Sequence, residues 1–252
     1  FERYLPWAAR AFDGYAAHSR LEAGQITRWG MPSDRVRIIP SGYQPEEFRS
    51  PAVGTAALRA SWGFTAPHVL VFAGGFFENK RVDRLIEAVA RTGGRWGLLV
   101  LGRDVPGNPH DRTASEALAR ERGVQLVAPG LVPRAEAIAT LRAADVIGLA
   151  SDYEGYGLLL LEALGAGRPF ISWRIGAGPE LAESTGAGFV VDSVEEFAER
   201  LHRLEDPSTA ASMAERARAA APEYTDERLV DRYEALYEWV RSRRAGRTPS
   251  DA

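Results

Sequence analysis

The chain has 252 residues, room for one large domain or two small ones, and its 45% hydrophobic and 26% charged content is that of an ordinary globular protein. A formal charge of -3 gives no reason to expect nucleic acid or an anionic membrane as partner. The absence of cysteine excludes disulfides and thiolate metal sites, and no apolar run reaches transmembrane length.

In chain order, residues 13–19 and 20–29 read as one strand–helix unit, 36–39 as a strand and 40–45 as a linker. Residues 69–73 form a short apolar strand ending in Gly74-Gly75, and the helix after it carries Val82, Leu85, Ile86 and Val89 on one face. A strand over 98–101 stops at Gly102. A helix over 113–122, a strand over 124–127 and a helix over 134–141 follow. A strand over 145–150 leads to a helix after Gly157, and then come a strand over 169–172 and a short helix with Pro179 in its first turn. The last strand covers 189–191, with helices over 194–204, 210–220 and 226–243. The final helix carries Leu229, Tyr233, Leu236, Tyr237 and Val240 on one face, and a polar, frayed tail runs over 244–252.

Continuous apolar strands alternating with helices define an α/β fold, a parallel sheet with helices on both faces. Ligands of such sheets bind outside the carboxyl ends of the strands. Gly74-Gly75, Gly102, Gly130, the turn at Glu154 and Gly176-Ala177-Gly178 all fall at those ends.

The most informative segment is Glu154-Gly155-Tyr156-Gly157 running into Leu158, Leu159 and Glu162. A glycine-led helix entry leaves backbone N–H groups free and bulk low, which suits an anion. The flanking acids suit hydroxyl groups of the same ligand, and a phosphate flanked by sugars describes a nucleotide sugar. The plainer alternative is that Glu154 complements the helix dipole and Glu162 is solvated. Eight residues of helix rise about 12 Å. That separation does not suit the two carboxylates of a glycosidase, which flank one bond about 5–9.5 Å apart. Lys80 is the only lysine among 31 basic residues, so a position that keeps an ammonium in an arginine-rich chain is a candidate phosphate contact.

In this order and spacing the motifs resemble the retaining nucleotide-sugar glycosyltransferases of family four, with the GT-B architecture. Residues 38–43 (Ile-Ile-Pro-Ser-Gly-Tyr) resemble the interdomain crossing, and residues 72–83 (Phe-Ala-Gly-Gly-Phe-Phe-Glu-Asn-Lys-Arg-Val-Asp) the donor phosphate loop. Glu154 and Glu162 match the paired-glutamate motif, and Gly176-Ala-Gly-Pro-Glu180 matches the turn after it.

The resemblance implies a Rossmann-like donor domain over 41–221. It implies a remnant of the acceptor domain and the crossing over 1–40, and a helix crossing back over 222–252. Most of the acceptor domain is then missing, and the chain, which lacks an initiator Met and a signal peptide, reads as a fragment or processed product.

By the same resemblance Lys80 contacts the donor diphosphate, Glu162 the ribose hydroxyls and Glu154 the transferred sugar. Gly74, Gly75, Gly155, Tyr156, Gly157, Leu158 and Leu159 line the donor, and Leu131 borders the base. The family's usual arginine is absent at Gly75, which leaves Arg81 as the candidate substitute. The reaction implied is sugar transfer with retention, in the cytoplasm, from a nucleoside-diphosphate sugar to an unidentified acceptor, with no metal or other cofactor. The alternatives are a nucleotide-binding module without catalysis, a nucleotide-sugar epimerase of related fold and a structural domain that binds nothing.

Overall fold

The computed structural model of the chain describes residue 7 and residues 11–49 and 55–245. The predicted tail beyond 245 and the first residues of the predicted N-terminal unit lie outside that range.

A parallel six-stranded sheet forms the centre. Its strands are β3 (His68–Ala73), β4 (Trp96–Leu101), β5 (Leu126–Gly130), β6 (Val146–Leu149), β7 (Phe170–Trp173) and β8 (Gly188–Val191), in spatial order β5-β4-β3-β6-β7-β8. The apolar runs explain the burial: every residue of β4 and β6 is buried, as both-face coverage demands. Helices α4 (Val82–Ala90), α5 (Arg112–Glu121) and α9 (Val194–Arg203) pack together on one face. On the other lie α3 (Thr55–Ser61), α6 (Arg134–Ala143), α7 (Leu158–Gly165) and α10 (Pro207–Ala220). The predicted stripe of α4 faces the core, with Val82, Leu85 and Ile86 fully buried beside Phe197 and Leu201 of α9. The short α8 (Gly178–Thr185) starts with Pro179 in its first turn.

From β3 the chain steps outward through β4 to β5, then returns past β3 to β6. The strand order therefore reverses between β3 and β6, and a crevice opens there at the carboxyl ends.

The N-terminal unit has a two-stranded sheet of its own. β1 (Tyr15–Ala17) pairs in parallel with β2 (Val36–Ile38), with α1 (Arg20–Arg28) between them and a small core of Ala17, Ile26 and Met31. β1 is shorter than the predicted strand because Ser19 caps α1: its hydroxyl accepts from the Glu22 N–H at 3.1 Å, while the Glu22 carboxylate accepts from the His18 N–H at 2.7 Å.

β5 begins two residues later than expected. Val124 closes the end of α5 instead, its N–H donating to Ala119 C=O at 2.8 Å after Gly123 at φ 69°. α2 (Pro45–Arg49) and α3 were not foreseen. The final α11 (Asp226–Ala245) returns to the N-terminal unit, where Trp239 and Val240 pack at Gly14. Leu236 is buried there, but Tyr237 of the predicted stripe is 60% exposed. No described helix is long and apolar enough to cross a membrane.

Candidate functional site

The crevice between β3 and β6 has a volume of about 500 Å³. The segment after β3 supplies Gly74 and Lys80, the loop after β6 supplies residues 154–157, α7 supplies Leu158, Leu159 and Glu162, and Ser41 enters from the crossing segment.

The N-terminus of α7 has no side-chain cap. Gly157 occupies the cap position in the left-handed region at φ 94°, ψ 55°. Among the described residues, no N–H of residues 155–159 donates to a backbone or side-chain acceptor. By contrast α1, α5, α9 and α10 are capped by Ser19, Asp111, Ser193 and Asp206. An uncapped helix start of this kind is a ready anion site.

Two ion pairs flank it. Lys80 Nζ donates to Glu154 Oε1 at 2.7 Å, and Ser151 Oγ donates to the same oxygen at 2.7 Å. Ser151 is fully buried, so it fixes Glu154 from beneath. On the far side, Arg134 Nη1 donates to Glu162 Oε1 at 2.6 Å, and its Nη2 and Nε donate to Glu47 Oε2 at 2.7 and 3.0 Å. Hydrogen bonding to Glu47, more than burial can oppose, holds the Arg134 guanidinium firmly charged. Burial pushes the Tyr156 phenol up, and the residue is 7% exposed.

The residues picked out by sequence fall into two groups. Gly74, Lys80, Glu154, Gly155, Tyr156, Gly157, Leu158, Leu159 and Glu162 line one crevice. Gly75, Arg81 and Leu131 do not. Gly75 sits at φ 72° with Leu101 C=O on its N–H, and a Cβ there would meet Arg103 C=O at 2.4 Å. The Gly74 N–H also bonds Leu101 C=O, at 3.1 Å, so the double glycine offers the crevice a small surface and no free amide. Arg81 is held by Asp83 at 2.8 Å and Asp152 at 3.2 Å. Leu131 stands 70% exposed beyond β5.

Sequence reading missed Ser41, Ser151, Arg134 and Glu47. A serine on the crossing segment and one just before the loop were visible, but nothing in their spacing marked them. A second cleft meets the first at Glu154 and Gly155. It is lined by Glu22, Gln25 and Trp29 of the N-terminal unit and by Asp152 and Tyr153.

The profile described as Glycosyl transferases group 1 matches residues 55–220. D-inositol 3-phosphate glycosyltransferase of Saccharomonospora viridis is 31% identical over 240 residues, covering 89% of this chain and 55% of that protein. N-acetyl-alpha-D-glucosaminyl L-malate synthase of Bacillus anthracis is 34% identical over 101 residues, 38% of this chain and 26% of that protein. Anabaena HepE, solved with UDP and glucose, superposes with a TM-score of 0.80 at 20% identity, over 96% of this chain and 68% of that one. The chain spans about half the length of the inositol-phosphate relatives it matches, 55% and 53% for two of them.

Proposed function

The chain belongs to the group 1 glycosyl transferases, and on that premise we propose that it is the donor-binding part of a retaining, GT-B enzyme that uses a nucleoside-diphosphate sugar. The uncapped start of α7, set between Lys80 and Glu162 at the point where strand order reverses, carries this reading. The diphosphate lies on the N–H groups of residues 155–159 with the Lys80 ammonium beside it. Glu162, acceptor-only when ionised, takes the ribose hydroxyls, and Glu154 holds hydroxyls of the transferred sugar.

The bond from the anomeric carbon to the diphosphate oxygen breaks as the bond to the acceptor oxygen forms on the same face. The acceptor's proton passes to the departing diphosphate. The protein's share is to stabilise the charge that develops on the leaving group, through Lys80 and the helix start. The acceptor enters by the second cleft, past Trp29 and Tyr153, and reaches the sugar at Glu154.

In the same reading residues 1–40 belong to the acceptor side and crossing, 41–221 to the donor domain and 222–252 to the helix crossing back, and the enzyme works in the cytoplasm, where it draws on nucleotide sugars. The second reading, nucleotide binding without transfer, is favoured by Gly75, whose contact with the Arg103 backbone leaves no room for the arginine that the resemblance implies.

Calorimetric titration with UDP, GDP and ADP tests the site. One of the three binds selectively, and Lys80→Ala and Glu162→Ala each weaken it by about 10- to 100-fold, the worth of a charged hydrogen bond. Binding indifferent to both substitutions would sink the assignment.

A further inference from the structure

We infer that Arg134, itself fixed by Glu47, is a positioning residue that sets the Glu162 carboxylate for the nucleotide's ribose. This rests on the donor-site reading above.

Arg134 opens α6, and its guanidinium divides between two acids on different elements. Nη1 reaches Glu162 Oε1 on α7, while Nη2 and Nε close on Glu47 Oε2 of α2. Glu47 is not free to wander. Its neighbour Phe48 is buried, Phe48 and Tyr43 meet edge-to-face at 5.4 Å, and both rings sit on Gly165 of α7. The bracket therefore ties α2, α6 and α7 together at the crevice mouth, where Leu158 and Glu162 line both the main crevice and an adjoining groove containing Glu47 and Arg134.

Nε and Nη2 of the fork are both spent on Glu47 Oε2, which fixes the guanidinium plane and so the direction from which Nη1 meets Glu162, a constraint a point charge does not impose. Arg134 takes one lone pair of Glu162 Oε1. The second lone pair of that oxygen and both of Oε2 remain for adjacent hydroxyls. Glu162 is 19% exposed against 48% for Arg134, so the acid lies deeper in the site than its clamp. An ordinary surface ion pair would contribute little and carry no preference among ligands. A positioning role instead ties Arg134 to one part of the nucleotide.

The test compares UDP with its 2′-deoxy form, dUDP, and GDP and ADP with theirs if UDP does not bind, on the whole chain. With the wild-type protein the ribonucleotide binds about tenfold more tightly than the deoxy form, one charged hydrogen bond. Arg134→Met brings the two within about twofold by weakening the ribonucleotide alone. Arg134→Lys, which keeps charge and loses the fork, does nearly the same, and Glu47→Gln falls between. In a Glu162→Ala background Arg134→Met changes neither affinity. Equal weakening of both nucleotides, or an unchanged ratio, would make Arg134 a structural residue only and overturn the inference. A wild-type protein that binds nucleotide without ribose preference overturns the inference and leaves the phosphate site standing. One that binds no nucleotide overturns the donor-site reading and the inference with it.

Discussion

Lys80 and Glu154 neutralise one another in the crevice, at 2.7 Å and with side chains only 22% and 13% exposed. An incoming diphosphate has to share the ammonium with that carboxylate, and the space is cut to a compact cation. Lys80→Arg is therefore expected to bind nucleotide several-fold more weakly than wild type by calorimetry, despite conserved charge. Gly75 stands where the resemblance implies an arginine. Its positive φ and its contact with the Arg103 backbone exclude any side chain without rearrangement. Gly75→Arg should cost about 2 kcal/mol or more in denaturant unfolding and gain no nucleotide affinity. Improved binding at unchanged stability would contradict that account. Arg81, beside Lys80, looked equally available in sequence. It is spent on Asp83, two residues along, and on Asp152, which the fold brings in from 71 positions away.

At the scale of elements, α7 gives up its own N-terminal stability to leave amides open, as α4, α6 and α8 also do without a side-chain cap, whereas α1, α5, α9 and α10 take one. Gly157 makes this possible. A Cβ at φ 94° would strain the backbone and press on Leu149 at 3.2 Å. Gly157→Ala should lower stability by about 1–2 kcal/mol and weaken nucleotide binding as the entry loop shifts. α10 shows the capped alternative and gives it a pH signature. Asp206 accepts from the Ser208 hydroxyl first and then from the Thr209 hydroxyl and N–H, which hold its carboxyl at about 2. That value lies below the unfolded carboxylate near 3.9, so the cap stabilises fully above about pH 4 and is lost as pH falls towards 2. Melting curves between pH 5 and 2 should fall less steeply for Asp206→Asn than for wild type. Parallel curves would remove Asp206 from the acid response. The shift of β5 belongs at this scale too. Val124 is apolar and next to a strand, yet it serves the helix end, and periodicity cannot separate those uses of one valine.

The whole molecule is closed by α11, which starts beside the crossing segment and ends against the N-terminal unit. Arg37 lies 3.9 Å from the Trp239 ring centroid, Arg243 lies 5.0 Å from it, and Arg243 also pairs with Asp34 at 2.7 Å. On the opposite side the Arg20 backbone N–H donates to Glu180, whose carboxyl burial pushes up, and Arg20 pairs with Glu183. That last pair is solvent-exposed and contributes little. The aromatic contact is the stronger tie. Trp239→Ala should speed amide hydrogen exchange in β1 and β2 by about tenfold and leave β3, β4 and β6 unchanged. Uniform acceleration across both sheets would mean that the two units unfold as one.

The sequence by itself determined the α/β class, the chain order of the strands in the main sheet and nine of the residues that line the crevice. Each of these is written locally: in unbroken apolar runs, in a 3.6-residue stripe on α4, and in glycines that leave a helix start bare. Tertiary structure alone decided which charges meet. Lys80 on Glu154, Arg134 between Glu47 and Glu162, and Arg81 turned to Asp152 are pairings of side chains from separate elements. A charged residue carries no local signal of its partner, because Coulomb attraction depends on distance in space and a chain this rich in arginine offers many candidates for every acid.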